Sequence, residues 1–314
     1  MSILPGVMSS RRRSGGGGAL ITWTARTSQF GTKAVTAIWH DGTTFAISGE
    51  SGYISSSADG ETWVQKSTSA LAADDYVNGL AKIGSNWVIG GWRKGYIKSS
   101  TDLITWASRV SADNMHCYIG TSNGTKVIMA GYDYSTWGAA DVSNSSDGVS
   151  WTNEIAIPSC TGGSEGICQN TNKVVVTNRD KSYPIAYSSD DGDTWTTVSK
   201  TVTQEMFGIA CNSNGTKYVA TGTNGYVMTS TNGTSWTIQT AISTSETLYG
   251  VGYDGSGKWV AVGSAGVAFE STNDGVSWST SNSTQVGTEI IHNIIYAESK
   301  WVLVAGDGKV STGV

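Results

Sequence analysis

The sequence predicts an all-β chain folded as a seven-bladed β-propeller of four-stranded blades, and three observations carry that prediction. The first is composition: 40 Gly, 13 Trp and 13 Tyr stand against 3 Pro and 4 Phe. That mix suits short strands joined by tight turns, with aromatics packed between layers. The second is a repeat. Tryptophans preceded by a turn signal recur at Trp63, Trp106, Trp151, Trp195, Trp236 and Trp278, at steps of about 41–45 residues, the period of a four-stranded blade. The third is the tetrapeptide LITW. It ends a repeat at residues 103–106 and stands without the rest of a repeat at residues 20–23.

Each period carries four short strand signals. In the fifth they are FGIAC (207–211), KYVATG (217–222), YVMTS (226–230) and SWTIQ (235–239). The segments between them, NSNG, TNG and TNGT, are hairpin-turn chemistry. The second-strand frame reads through FAISG (45–49), WVIGG (87–91), VIMAG (127–131), VVVTN (174–178), WVAVG (259–263) and WVLVAG (301–306). The seventh unit begins at Glu289 and reaches Val314 with three strands, so LITWTA (20–25) is expected to supply the fourth. Pairing the N-terminal strand with the last three closes the ring and protects the two sheet edges that an open ring would leave unpaired. The division expected is an N-terminal arm and glycine linker over 1–18 and the propeller over 19–314.

The innermost strands align as TAIW (36–39), NGLA (78–81), HCYI (116–119), EGIC (165–168), FGIA (207–210), YGVG (249–252) and HNII (292–295). Their second positions are Ala37, Gly79, Cys117, Gly166, Gly208, Gly250 and Asn293. Small side chains there suit an axis on which seven backbones converge. Each fourth-strand Trp should bury ~150–250 Å², worth about 4–6 kcal/mol at ~25 cal/mol per Å².

A net charge of −5 provides no basic field for wrapping nucleic acid. The one cationic cluster, Arg11-Arg12-Arg13, belongs to the arm. No apolar run approaches the ~20 residues of a membrane span, so no membrane insertion is expected. The first residues lack the basic-then-apolar order of a secretory signal. Cys117, Cys160, Cys168 and Cys211 show no CxxC spacing and read as buried free thiols. His40, His116 and His292 lie in different blades without metal-ligand spacing. The inner-strand alignment puts His116 and His292 at equivalent positions, facing each other across a channel. No GxSxG, P-loop or dinucleotide fingerprint stands in a strand–turn–helix context. Neither metal nor cofactor is expected.

The stretch SSDDGDTW (188–195) carries S-x-D-x-G-x-T-W at every fixed position, and the other copies keep mainly Asp/Asn-Gly-x-Thr/Ser-Trp. Residues 19–314 therefore resemble the Asp-box, or BNR-repeat, propellers, among them sialidase-like and photosystem II assembly factor-like proteins. The resemblance implies that Asp59, Asp147, Asp191 and Asp274 are fold residues at the periphery rather than catalytic acids. It does not carry sialidase chemistry. Sialidases hold substrate with three arginines, one in an Arg-Ile-Pro motif, and the nearest triplet here is Ala156-Ile157-Pro158. Outside the arm only Arg26, Arg93, Arg109 and Arg179 remain, all aligned to loops. A shared fold without the site does not transfer activity.

Most turns between second and third strands are minimal, and two are not: GGWRKG (90–95) in blade 2 and GYDYSTWGAADVS (131–143) in blade 3. They bring Trp92, Arg93, Tyr132, Asp133, Tyr134 and Trp137 to one face, with Arg109 and Arg179 on nearby loops. Aromatics flanked by charge suit a glycan platform or a protein hot spot; the alternative is that the long loop folds back and packs its own aromatics. Asp74, Asp75, Asp113, Glu205, Glu246 and Glu289 precede inner strands on the same face. The arm, apolar then arginine-rich then glycine-rich, resembles those of bacteriophage virion proteins. The function expected is a non-enzymatic interaction module. It would be a structural or host-adhesion component of a virion, on tail or capsid surface, meeting other virion proteins through residues 1–18 and a host glycan through the loops. The alternatives are a glycoside hydrolase with an axial carboxylate such as Glu165, a secreted lectin-like propeller, and an assembly chaperone.

Overall fold

The computed structural model describes residues 20–72, 75–92, 96–111, 115–133, 138–152, 154–171, 173–242 and 244–314. The arm and linker assigned to residues 1–18 lie outside them.

Seven four-stranded antiparallel sheets form among these residues; in six the strands run outward from the axis in chain order, and in the seventh the N-terminal strand is outermost. Blade 1 comprises Val35–His40, Phe45–Gly49, Ile54–Ser57 and Val64–Ser67. The chain then crosses to Val77–Ile83, the inner strand of blade 2, and the pattern repeats. Each apolar core is shared by two neighbouring blades, since a blade has two faces and neither can be left wet. Phe45, Ile47 and Trp63 of blade 1 thus pack with Val302 and Val304 of blade 7.

The ring closes as the LITW repeat predicts. Ile291–Ala297, Lys300–Ala305 and Lys309–Gly313 make three strands of blade 7, and Trp23–Thr27 is the fourth. Trp23 pairs with Gly313 and Thr27 with Lys309. Blade 6 ties the same strand down: Ile21 N donates to Glu270 Oε1 at 3.0 Å, Asn282 Nδ2 to the Ile21 carbonyl at 2.9 Å, and Trp23 Nε1 to Ser281 Oγ at 3.1 Å.

The turns before the fourth strands share one hydrogen-bond scheme. In blade 3 Asp147 Oδ1 accepts the amides of Val149 and Ser150, both at 2.7 Å, while Ser145 Oγ accepts the amide of Gly148 at 2.8 Å. Asp59 with Ser57 and Asp102 with Ser100 repeat it. Blade 2 has Leu103 where the others have glycine, and Leu103 takes φ 65°. In blades 4 and 6 the alignment is corrected. The amide acceptors are Asp190 and Asn273, and not Asp191 and Asp274. Those turns hold one more residue, and the extra residue takes positive φ (56° and 59°). Asp191 and Asp274 instead reach across to Asn123 and Lys217.

These carboxylates link stability to pH. The Ser150 and Val149 amides hold Asp147 down at about 2, against an ordinary 3.8. The Thr62 and Glu61 amides and the Ser57 hydroxyl hold Asp59 well below the usual range. A carboxylate depressed by folding adds stability above its unfolded pKa and loses it as pH falls through the folded one. Asp147→Asn should therefore lower the melting temperature at neutral pH, and the two proteins' melting temperatures should converge between about pH 4 and pH 2. Scanning calorimetry across that range checks it.

Candidate functional site

Every inner strand carries a β-bulge at the same level, where one or two residues of the strand have no partner on the second strand. A bulge turns a side chain away from the ladder. The residues so turned are Thr36, Asn78, Tyr118, Glu165, Phe207, Tyr249 and His292, one per blade, and all seven line a central cavity of about 540 Å³. They ring its mouth on the face of the second-to-third-strand turns. Deeper in, Ile38, Ile167, Ile209, Val251 and Ile294 form an apolar waist.

The mouth has two unlike sides. Over blades 2 and 3 an aromatic cluster stands: Trp92 Nε1 donates to the Tyr118 hydroxyl at 3.0 Å, and Trp92 meets Tyr76 edge-on at 5.9 Å. Tyr118 stacks on Tyr132 at 5.4 Å, and His116 lies 4.8 Å from Tyr132. Over blades 4 and 5 Arg179 bridges two carboxylates, Glu165 at 3.4 Å and Glu205 at 3.3 Å, with its guanidinium 5.4 Å from the Phe207 ring. Burial pushes the Glu165 carboxyl up to about 7, against the pull of Arg179 and with a further push from Glu205. Burial likewise pushes His292 down to about 4, so its imidazole is neutral at neutral pH. Phe207 and Tyr249, edge to face at 5.2 Å, continue the wall toward blade 6.

Residues 145–311 match the family model described as the DUF6242 beta propeller domain. The chain belongs to the DUF6242 β-propeller family. No curated protein matches it. Similar solved structures include YCF48 bound to a D1 peptide, 14% identical at a TM-score of 0.71 over 99% of this chain and 97% of that one. A catalytically inactive virginiamycin B lyase from Staphylococcus aureus with quinupristin is 11% identical at 0.75, over 94% and 99%. The WD40 propeller domain of Doa1 is 12% identical at 0.70, over 93% and 97%. At these identities the likeness shows the fold alone.

In this DUF6242 propeller the residues named from sequence divide into three groups. Trp92 and Tyr132 stand together at the mouth through Tyr118 and His116, and Asp133 ends the strand Val127–Asp133 beside them. Arg179 crosses the other side. Arg109 does not join them. It lies on Ala107–Ser111, the outermost strand of blade 2, and its Nε donates to Ser99 Oγ at 2.6 Å. The alignment of all arginines to loops thus fails for Arg109, and also for Arg26 on Trp23–Thr27. Arg93, Tyr134 and Trp137 lie outside the described residues, as do Asp74 and Asp113 of the acidic set. Asp75 is buried, Glu246 accepts the Ser264 hydroxyl at 2.5 Å, and Glu289 faces Lys309 at 3.6 Å.

The pairing of His116 with His292 is also corrected. The blade 3 inner strand, Met115–Ser122, has its bulge between Cys117 and Ile119. Tyr118 is therefore the partner of His292 in the ring, and His116 sits two residues earlier, buried against Trp92 and Tyr132. Ile119, not Cys117, follows the bulge in blade 3, so the small-residue series breaks there. All four cysteines are free, with Cys117, Cys160 and Cys168 buried and Cys211 half-buried. Among the described residues no group of three or more His, Cys, Asp or Glu could hold a metal ion.

Proposed function

We propose that this chain is a non-enzymatic interaction module that takes its partner at the mouth of the central channel. The observation that supports it most is the aromatic cluster of Tyr76, Trp92, Tyr118 and Tyr132, drawn from two blades and held by the Trp92–Tyr118 hydrogen bond. Rigid aromatics with polar tips at a concave mouth are the usual anchors of binding sites. The propeller supplies a fixed ring, and the bulge positions vary freely from Thr to His without disturbing the ladders. The similarity to YCF48 bound to a peptide is in keeping with a protein partner.

The finer reading is a structural or host-adhesion component of a bacteriophage virion, its support being the composition of residues 1–18. The turns of blades 1 to 6, with Ser and Asp or Asn oxygens on amides, support the Asp-box resemblance. Mass spectrometry of purified particles tests the virion role directly, and absence of the chain would remove it. A hydrolytic reading has one observation in its favour, the raised carboxyl of Glu165 near Glu205. Arg179 stands between the two and pairs with both, which suits charge balance better than an acid and base working apart. Sugar release from a glycan panel would revive that reading.

Trp92→Ala should abolish capture on arrays of glycans and peptides that bind the wild-type protein, an affinity loss of about 2 kcal/mol or more for an aromatic anchor. Equal capture by both proteins would place the site elsewhere.

A further inference from the structure

We propose that the channel mouth takes one cationic side chain, a lysine or arginine of a protein partner, seated against Glu165 between the aromatic walls. This rests on the mouth being the interaction site and names the chemistry of its partner.

Charge and geometry lead there together. Glu165 lines the mouth, Glu205 lies beside it, and Arg179 is the guanidinium they share, at 3.4 and 3.3 Å. Among the described residues, one negative charge is left over when both carboxylates are ionised. Among the described residues lining the cavity there is no lysine or arginine to meet it. His292 is neutral there, and the Tyr118 phenol, raised by burial, stays protonated. Glu165 is the more enclosed of the two carboxylates, its side chain 14% exposed against 34% for Glu205, so its charge is the less screened by water. A neutral sugar would leave that charge unmet, and an anion would be repelled.

The walls suit the same guest. Tyr118 and Phe207 present rings from the blades on either side of Glu165, and Tyr249 continues the wall from Phe207. An aromatic ring attracts a cation held within ~6 Å of its centroid. The protein already shows the arrangement once: Arg179 lies 5.4 Å from the Phe207 ring while pairing with a carboxylate on either side. A partner's side chain entering the mouth would repeat it against Trp92 and Tyr118. Uptake is then linked to pH. Burial raises Glu165 to about 7, with Arg179, Glu205, Tyr118 and His292 as the charged or titratable groups around it. A cation favours the ionised form, so affinity falls as pH drops below neutral.

The test uses the full chain and capped pentapeptides Gly-Gly-X-Gly-Gly, with X arginine, lysine, citrulline or norleucine. The readout is the indole N–H resonance of Trp92, assigned by its loss in Trp92→Phe. Arginine and lysine peptides should move it, and citrulline, which matches arginine in shape without its charge, should bind about tenfold more weakly. Glu165→Gln should erase that difference. Arg179→Met, which removes the resident cation, should tighten the arginine peptide severalfold. Binding should weaken from about pH 8 to about pH 6 in the wild type and not in Glu165→Gln. Equal binding of arginine and citrulline peptides, or an unchanged preference in Glu165→Gln, overturns the proposal. A neutral glycan that moves Trp92 while no peptide does leaves the interaction site standing and removes the cationic guest. If no array ligand and no peptide moves it, both readings fall.

Discussion

Glu270→Ala is expected to weaken the ring at its closing seam by about 3–5 kcal/mol, the range for removing one member of a buried pair. Glu270 is 4% exposed, and its carboxylate accepts Ile21 N at 3.0 Å and Ser281 Oγ at 2.6 Å while pairing with Lys258 at 2.9 Å. The Ile21 bond runs from blade 6 to the segment leading into the N-terminal strand of blade 7, and the Ser281 and Lys258 bonds hold the carboxylate in place within blade 6. The variant therefore loosens the one place where the ring is closed by hydrogen bonds rather than by continuous chain. Glu270→Gln keeps an acceptor for Ile21 and should cost less. Thermal melts check the order, with a fall of roughly 5–8 °C for the alanine variant. Limited proteolysis should then cut first near residues 20–27. Equal melting temperatures for wild type and alanine variant would show that the strand's ladder with Lys309–Gly313 holds the seam alone.

Trp259→Ala is expected to cost about 3–5 kcal/mol, as for other large core aromatics cut to alanine. Trp259 opens the second strand of blade 6, is fully buried, and packs 4.3 Å from the Tyr253 ring with Val219, Val227 and Phe269 around it. Its Nε1 has no hydrogen-bond partner among the described residues, so Trp259→Phe gives up packing alone and should be milder. Trp278, the fourth-strand tryptophan of the same blade, is half-buried and bonds the Gly275 carbonyl at 3.0 Å. Trp278→Ala should therefore cost less than Trp259→Ala. Chemical denaturation of the three variants decides it, and a larger loss for Trp278 would contradict the packing described.

That contrast shows what the sequence can reveal. The fourth-strand tryptophans announce themselves by their turns, so blade count and phase follow from them. The deepest tryptophan lies elsewhere: Trp259 opens the second-strand segment WVAVG, where Trp87 and Trp301 stand in their own blades and are also buried. That recurrent position carries no turn signal to announce it. The closing strand was legible since LITW repeats a known unit end. Glu270 was not, because its partners lie 249 and 12 residues away in sequence.

At the site, Trp92 and Tyr132 were legible as aromatics in loops longer than their neighbours. Tyr118 was missed through a slip of two residues. The blade 3 inner strand offers His116 and Cys117 as an equally good match to the small-residue pattern, and only the bulge between Cys117 and Ile119 sets the register. Once the bulge is seen, the first letters of the inner-strand motifs become the ring of mouth residues. Their variety is the signal: Thr36, Asn78, Glu165, Phe207, Tyr249 and His292 share no property except position. Arg109 was misplaced for a different reason. Its neighbours Ser108 and Val110 give a weak strand pattern, and the irregular pairing between Ile97 and Lys98 hides the ladder further.

The account's central claim is that partners engage the channel mouth over blades 2 to 5. Hydrogen exchange measured on the chain saturated with its strongest array ligand tests that most directly. Protection is predicted in the inner strands at residues 76–80, 116–120, 164–167 and 205–209, and around Trp92. Protection confined to the outer fourth strands, with those inner segments unchanged, would contradict it.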